Sequence, residues 1–161
     1  MQIRPATDAD FDQIWSIFHA VVSAGDTYTY PRDTCKDQAY QYWMATPQVT
    51  LVVEEDGHIL GTFYIKPNQL GGGAHVCNCG YMVSPQARGR GLASAMCEHS
   101  QQLARELGFR AMQFNFVVAS NTTAVALWTK LGFETLARLP EAFLHPTLGY
   151  VDALVMHKRL V

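Results

Sequence analysis

The sequence predicts an α+β fold, a three-layer α/β arrangement in which a mixed, mostly antiparallel sheet carries helices on both faces. Three observations predict it. Apolar residues recur at helical spacing from Phe11 to Val22 and again from Leu92 to Leu107. Between those stretches, from Val49 to Val83, runs of β-branched and aromatic residues alternate with turn residues. The resulting order is β, α, α, three strands, then α, β, α, β, β. The hairpin and meander in the middle exclude a doubly wound sheet. A chain of 161 residues suits one core, and a single domain spanning 1–161 is expected.

Each element has its own signal. Gln2 to Ala6 reads as a short first strand, and Thr7-Asp8-Ala9-Asp10 as a helix start. Phe11, Ile14, Trp15, Phe18 and Val22 form the stripe of the first helix, which ends at Ala24-Gly25-Asp26. The aromatic segment Thr27 to Pro31 is irregular. A second helix is expected from Asp33 to Met44, with Ala39, Tyr40 and Trp43 on one face. Val49–Glu54 and His58–Lys66 make a hairpin around Glu55-Asp56-Gly57. Asn68 to Gly73 is a glycine-rich loop, and His75 to Val83 a fourth strand stopped by Pro85. A helix from Gly89 to Leu107 should face Leu92, Met96, Leu103 and Leu107 inward, with Gly108 closing it. Then follow a strand (Ala111–Val118), a helix (Thr122–Leu131) stopped at Gly132, and two strands (Glu134–Arg138, Val151–Lys158).

Composition narrows the function. Apolar residues make up 48% and charged residues 16%, an ordinary globular balance. A net charge of −2 offers no basic excess for nucleic acid or an anionic membrane, so neither is expected as a partner. No apolar run is long enough to span a bilayer, and Met1 to Pro5 is not a secretory signal, so the expected location is cytoplasmic. His75, Cys77 and Cys79 lack the second knuckle of a zinc site. They read instead as core side chains, and no metal is expected.

The most informative stretch is Val83-Ser84-Pro85-Gln86-Ala87-Arg88-Gly89-Arg90-Gly91-Leu92-Ala93. A strand ends, a proline breaks it, and a glycine-rich turn opens a long amphipathic helix. The glycines let the backbone approach an anion, and the first helical N–H groups have no internal partner. Arg88 and Arg90 add donors, so the turn reads as a diphosphate cradle. A Rossmann unit would place such glycines after the first strand, with an acidic ribose ligand on the next one. Here they follow the fourth strand, and Ala111 to Val118 holds no acidic residue.

Gln86-x-x-Gly89-x-Gly91 matches the Q/R-x-x-G-x-G/A signature of the GNAT acetyltransferase superfamily, and Asn121-Thr-Thr-Ala124-Val-Ala-Leu127-Trp128-Thr-Lys-Leu-Gly132-Phe133 resembles its second signature. The resemblance covers nearly the whole chain and implies the GNAT fold, acetyl-CoA as co-substrate and an N-acetyltransferase activity. It implies that Arg88, Gly89, Arg90, Gly91, Leu92 and Ala93 hold the CoA diphosphate. Tyr81, Met82 and Val83 would pair with the pantetheine arm, one of their N–H groups polarising the thioester. Asn121 would bond the pantetheine or the acetyl end, and Trp128 would line its channel. Homodimers are common in the family. Asn121 also suits a helix N-cap, and Leu127 and Trp128 also suit a core stripe. Phe114-Asn115-Phe116 with its following residues, and the tail Gly149 to Ala153, resemble fungal acetyltransferases acting on azetidine-2-carboxylate and their bacterial relatives. Phosphinothricin-type enzymes are a more distant likeness. An amino acid or its analogue is therefore the favoured small-molecule amine.

Two positions depart from the family. The fourth strand has no Asp or Glu, and Asn78 stands where relatives carry a glutamate base. Trp128 stands where many carry a tyrosine acid, and an indole N–H is a donor with no acid role. Tyr81, Tyr150 or solvent is left as proton source. Asn78 and Asn115 are expected to position the acceptor. On the fifth strand Met112, Phe114, Phe116 and Val118 should share one face, with Asn115 as an interior amide on the other that needs partners. Tyr28, Tyr30, Phe143 and His145 complete the expected substrate pocket, His145 being either a base or a surface residue. Two alternatives remain. One is a protein N-acetyltransferase, which needs an open groove. The other is a non-catalytic acetyl-CoA-binding regulatory module, which the missing carboxylate and tyrosine permit.

Overall fold

The computed structural model describes residues Met1–Val161. In chain order the elements are β1 (Gln2–Pro5), α1 (Phe11–Ala24), α2 (Lys36–Tyr40), β2 (Val49–Glu55), β3 (His58–Pro67), β4 (Val76–Val83), α3 (Leu92–Glu106), β5 (Ala111–Val118), α4 (Thr122–Lys130), β6 (Glu134–His145) and β7 (Gly149–Arg159). They build one seven-stranded sheet in the order β1-β2-β3-β4-β5-β7-β6. Every neighbouring pair is antiparallel except β4 and β5.

Side-chain alternation on the strands assigns the layers. On β2, Val52 packs with Phe11, Ile14, Phe18 and Trp43 beneath α1 and α2. Its neighbours Leu51 and Val53 point the other way, to Leu92 and Met96 of α3. Farther along that face, Met112, Phe114, Leu154 and Met156 pack on Cys97, Trp128 and Phe133. Of the expected α1 stripe Phe11, Ile14, Phe18 and Val22 are buried, joined by Ile17, while Trp15 is half-buried, and Gly25 ends the helix in the left-handed region at φ 72°. Arg4 on β1 donates to both oxygens of Asp10 at 2.8 and 2.9 Å, and Asp10 also accepts from the Thr7 N–H at 2.7 Å. These bonds pin the first strand to the start of α1.

Several boundaries differ from expectation. The second helix begins at Lys36, because Thr34 bonds back to Pro31 through both its N–H and its hydroxyl. It continues past Tyr40 as a π-helical turn over Gln41–Ala45, which buries Trp43 and lets its Nε1 donate to Thr62 at 3.0 Å. The third helix begins at Leu92, since Gly89 and Gly91 sit at φ 78° and 76°, outside helical geometry. Leu107, expected inward, is 39% exposed at the helix end, while Cys97, Ser100 and Ala104 are buried in its place. β6 runs on to His145, seven residues past Arg138. Pro140 is tolerated because β6 is an edge strand, with an irregular step between Leu139 and Phe143.

The fifth strand breaks its expected alternation. Phe114 pairs with Met156 but Val117 pairs with Leu154, so β5 takes an extra residue against β7. The bulge turns Val117 into the core with Phe114 and leaves Asn115 exposed. Asn115 is therefore not the buried amide that strict alternation implies. β4 and β5 pair only at Val76–Ala111 and Cys77–Met112, then part.

Candidate functional site

A cleft of about 830 Å3 opens where β4 and β5 diverge. Asp26 to Tyr30, between α1 and α2, form one wall, and Asn121 with Thr123, Ala124, Leu127 and Trp128 of α4 form another. The ladder decides which main-chain groups face it. Asn68 N–H bonds Val76 C=O and Ser84 N–H bonds Leu60 C=O, both at 2.8 Å, so even-numbered residues of β4 turn toward β3. Cys79, Tyr81 and Val83 turn their peptide groups to the cleft. At Tyr81 both groups are already engaged. The Tyr28 hydroxyl donates to its carbonyl at 2.7 Å and accepts from its N–H at 2.8 Å. Burial pushes the Tyr28 phenol up, so it stays neutral.

The glycine-rich turn lies at the open end. A Cβ added to Gly89 or Gly91 would meet nothing within 4 Å, so the turn requires glycine for its left-handed dihedrals and leaves clear space above it. The first amides of α3 lack helical partners. Arg88 and Ala93 line the cleft. Gly89, Arg90, Gly91 and Leu92 do not. Leu92 is in the core, and Arg90 is turned to Glu55 at 2.6 Å, an arginine that holds the carboxyl below its ordinary range. Open amides beside one uncommitted guanidinium suit a diphosphate.

Polar groups gather at the closed end. Asn78 bridges the parting strands, donating to the Gln113 carbonyl at 2.9 Å and accepting from the Tyr64 hydroxyl at 3.2 Å. Asn115 donates to Asn68 at 2.6 Å and accepts from Gln113 at 3.0 Å. Tyr30 stacks between Tyr28 and Tyr42, at 5.7 and 5.1 Å, and burial raises its phenol to about 12. The Lys66 ammonium stands 5.3 Å from the centre of the Tyr64 ring.

Asn121 and Trp128 both reach the cleft. Asn121 Oδ1 caps α4 by accepting from Ala124 N–H at 3.3 Å, and its Nδ2 makes no bond within the protein. The Trp128 ring lies 5.1 Å from that of Tyr81 and 5.2 Å from that of Phe114. Phe143 and His145 lie outside the lining. Phe143 packs behind Phe116 at 6.3 Å, and His145 Nδ1 accepts from the Thr147 and Leu148 N–H groups at 3.2 Å in the β6–β7 turn. The Tyr81 hydroxyl is turned under α3 to Ser100 at 2.7 Å, and Tyr150 is 68% exposed. Neither phenol opens on the cleft. Tyr64, Lys66 and Asp26 do line it, yet carry no motif. The only mark in the sequence is a single lysine at the end of a strand.

The Acetyltransferase (GNAT) family model matches residues 15–133. The structure of a GCN5-related N-acetyltransferase from Kribbella flavida is 47% identical, covering 98% of this chain and 96% of that one, with a TM-score of 0.93. N-acetyltransferase aca1 of Schizosaccharomyces pombe is 38% identical over 98 residues, 60% of this chain but only 47% of that protein. The chain thus spans about half the length of this relative. The yncA structure from Salmonella typhimurium, with its cofactor acetyl-CoA, shares the fold at 24% identity and a TM-score of 0.84, covering 100% of this chain and 94% of that one. On the motif pair, the splayed central strands and these matches, the chain belongs to the acetyltransferase (GNAT) family.

Proposed function

We propose that this protein transfers the acetyl group of acetyl-CoA to the amine of a small molecule, an amino acid or amino-acid analogue being favoured. The observation that carries the proposal is the cleft between β4 and β5, with an anion-binding turn at one end and an aromatic, amide-lined chamber at the other. Acetyl-CoA supplies the activated acetyl thioester. Arg88 and the amides from Gly89 to Ala93 hold its diphosphate. The free Nδ2 of Asn121 and the main-chain edge of β4 receive the arm behind it. With the Tyr81 N–H engaged by Tyr28, the cleft-facing N–H groups of Cys79 and Val83 are the ones open to polarise an acyl oxygen.

The amine nitrogen forms its bond to the acetyl carbon as the carbon–sulfur bond breaks, and one amine proton ends on the CoA thiol. A lysine-like amine is neutral in roughly one molecule in a thousand at pH 7, so positioning must be efficient. Asn78 braces the chamber and Asn115 meets the acceptor. Trp128 shapes the channel without exchanging protons. A cytoplasmic setting and a homodimer are part of the same reading.

The test is an acetyl-CoA turnover assay over free amines and over lysine and N-terminal peptides, with calorimetry of acetyl-CoA binding. Small amines should be the better substrates. Gly91→Glu should abolish binding in a folded protein by placing a charged side chain in the turn. Unchanged affinity in that variant removes the site. Preference for peptides makes it a protein acetyltransferase, and binding without turnover a regulatory module.

A further inference from the structure

The cleft is lined by two cations, Arg88 and Lys66. They answer different ends of it. Lys66 on β3 stands opposite Asn78, near the base of the parting strands. Arg88 follows the far end of β4. From Asn78 to Val83 the strand alone rises roughly 17 Å at ~3.3 Å per residue. An anion held at Arg88 therefore sits toward the other end of the cleft from Lys66.

The Lys66 ammonium also has no partner of its own. None of the protein's ion pairs includes it, and it makes no hydrogen bond to any protein group. Its position is set instead by the Tyr64 ring at 5.3 Å, a cation–π contact, while Tyr64 itself is held by its bond to Asn78. Lys66 is half-buried, opposite Asn78 and in the same lining as Asn115, and its ammonium, kept over an aromatic face, has its three donors available to a ligand. The residues around it, Tyr28, Tyr30, Phe114 and Phe116, are aromatic, and the one carboxylate lining the cleft, Asp26, forms no ion pair with it.

We propose that Lys66 is the carboxylate anchor of the acceptor chamber, so that the amine acetylated belongs to a free amino or imino acid. This rests on the small-molecule reading above and names the group that selects its substrates. A charge-assisted bond from Lys66 to the carboxylate turns the amine toward the acyl end of the cleft. Asn115 lies within the same chamber to orient the rest of the molecule.

The experiment compares each of several amino acids with its own carboxamide, L-proline with L-prolinamide and L-leucine with L-leucinamide, by kcat/KM in wild type, Lys66→Met and Lys66→Arg. The ratio of acid to amide, compared between proteins, cancels the intrinsic difference in amine basicity. Lys66→Met should lower that ratio by about 10-fold or more, equivalent to ~1.4 kcal/mol, and Lys66→Arg should restore most of it. Acetyl-CoA affinity by calorimetry verifies the folded cleft in both variants. An acid-to-amide ratio that is the same in all three proteins overturns the anchor and leaves the small-molecule reading standing. Wild-type protein that acetylates none of the acids or amides but does acetylate peptides overturns both.

Discussion

Arg88 and Arg90 are separated by one glycine, yet they end in different surroundings. Arg88 faces the cleft, and Arg90 is turned to Glu55 on the neighbouring hairpin at 2.6 Å. Nothing in Arg-Gly-Arg-Gly distinguishes them, because the difference comes from a carboxylate 35 residues away in sequence. Arg88→Ala should weaken acetyl-CoA binding by about 10-fold, ~1.4 kcal/mol, as a charge-assisted phosphate contact is lost. Arg90→Ala should change it by less than about 3-fold, the exposed pair with Glu55 being weakly coupled to anything else. Calorimetry of both variants checks the pair, and an equal loss in each would show that the turn rearranges to use both. The asparagines show the same limit of local reading. Asn121 was legible as both a helix cap and a cleft residue, since Asn favours N-caps. Asn115 was legible as unusual but misplaced as interior, because a β-bulge cannot be seen in an alternation pattern.

At the level of elements, the start of α1 depends on a residue of the strand before it. Thr7 and Asp10 were readable as a start signal for α1. Arg4 as the partner of Asp10 was not, since it belongs to the strand before. The Arg4 guanidinium, aided by the Thr7 N–H, holds the Asp10 carboxyl down at about 2. A carboxyl depressed in the folded state stabilises the protein fully above its unfolded value near 4, and that contribution is lost as pH falls through about 2. Asp10→Asn should therefore cost about 2 kcal/mol at pH 7, and the gap to wild type should narrow progressively between pH 4 and pH 2. Denaturant melts at those pH values measure it. A gap independent of pH would mean that Asp10 acts through its shape and not its charge. The second helix departs from its expected bounds for a related reason. Helical spacing detects Ala39, Tyr40 and Trp43 but cannot register the wider π turn that seats the Trp43 indole on Thr62.

Across the whole molecule the sheet has one long exposed edge. β6 is that edge, and around it Leu136, Leu144, Leu148 and Tyr150 are 58 to 68% exposed. Leu144 and Tyr150 are cross-strand partners, so two of these side chains make a shared apolar surface on the β6–β7 ribbon. An exposed edge strand with apolar side chains is open to pairing with another chain unless it is covered. If the homodimer uses this face, sedimentation should find a dimer that Leu144→Glu converts to monomer with the cleft's acetyl-CoA affinity retained. A wild-type monomer at every concentration tested would remove the dimer from the reading.

The order of strands and helices, the glycine turn and the two family signatures were written in the chain itself. Each is a local property: a hydrophobic period, a dihedral that only glycine tolerates readily, or a spacing along one helix. The aromatic, amide-lined end of the cleft was not. It exists because β4 and β5 stop pairing after two residues, because β5 bulges at Asn115, and because the segment between α1 and α2 folds back to set Tyr28 on Tyr81. Asn78 joins Tyr64 and Lys66, which share a face of β3, only through cross-strand register. Contacts of that kind join residues far apart in sequence and leave no periodic trace along it, so only the tertiary structure could decide them.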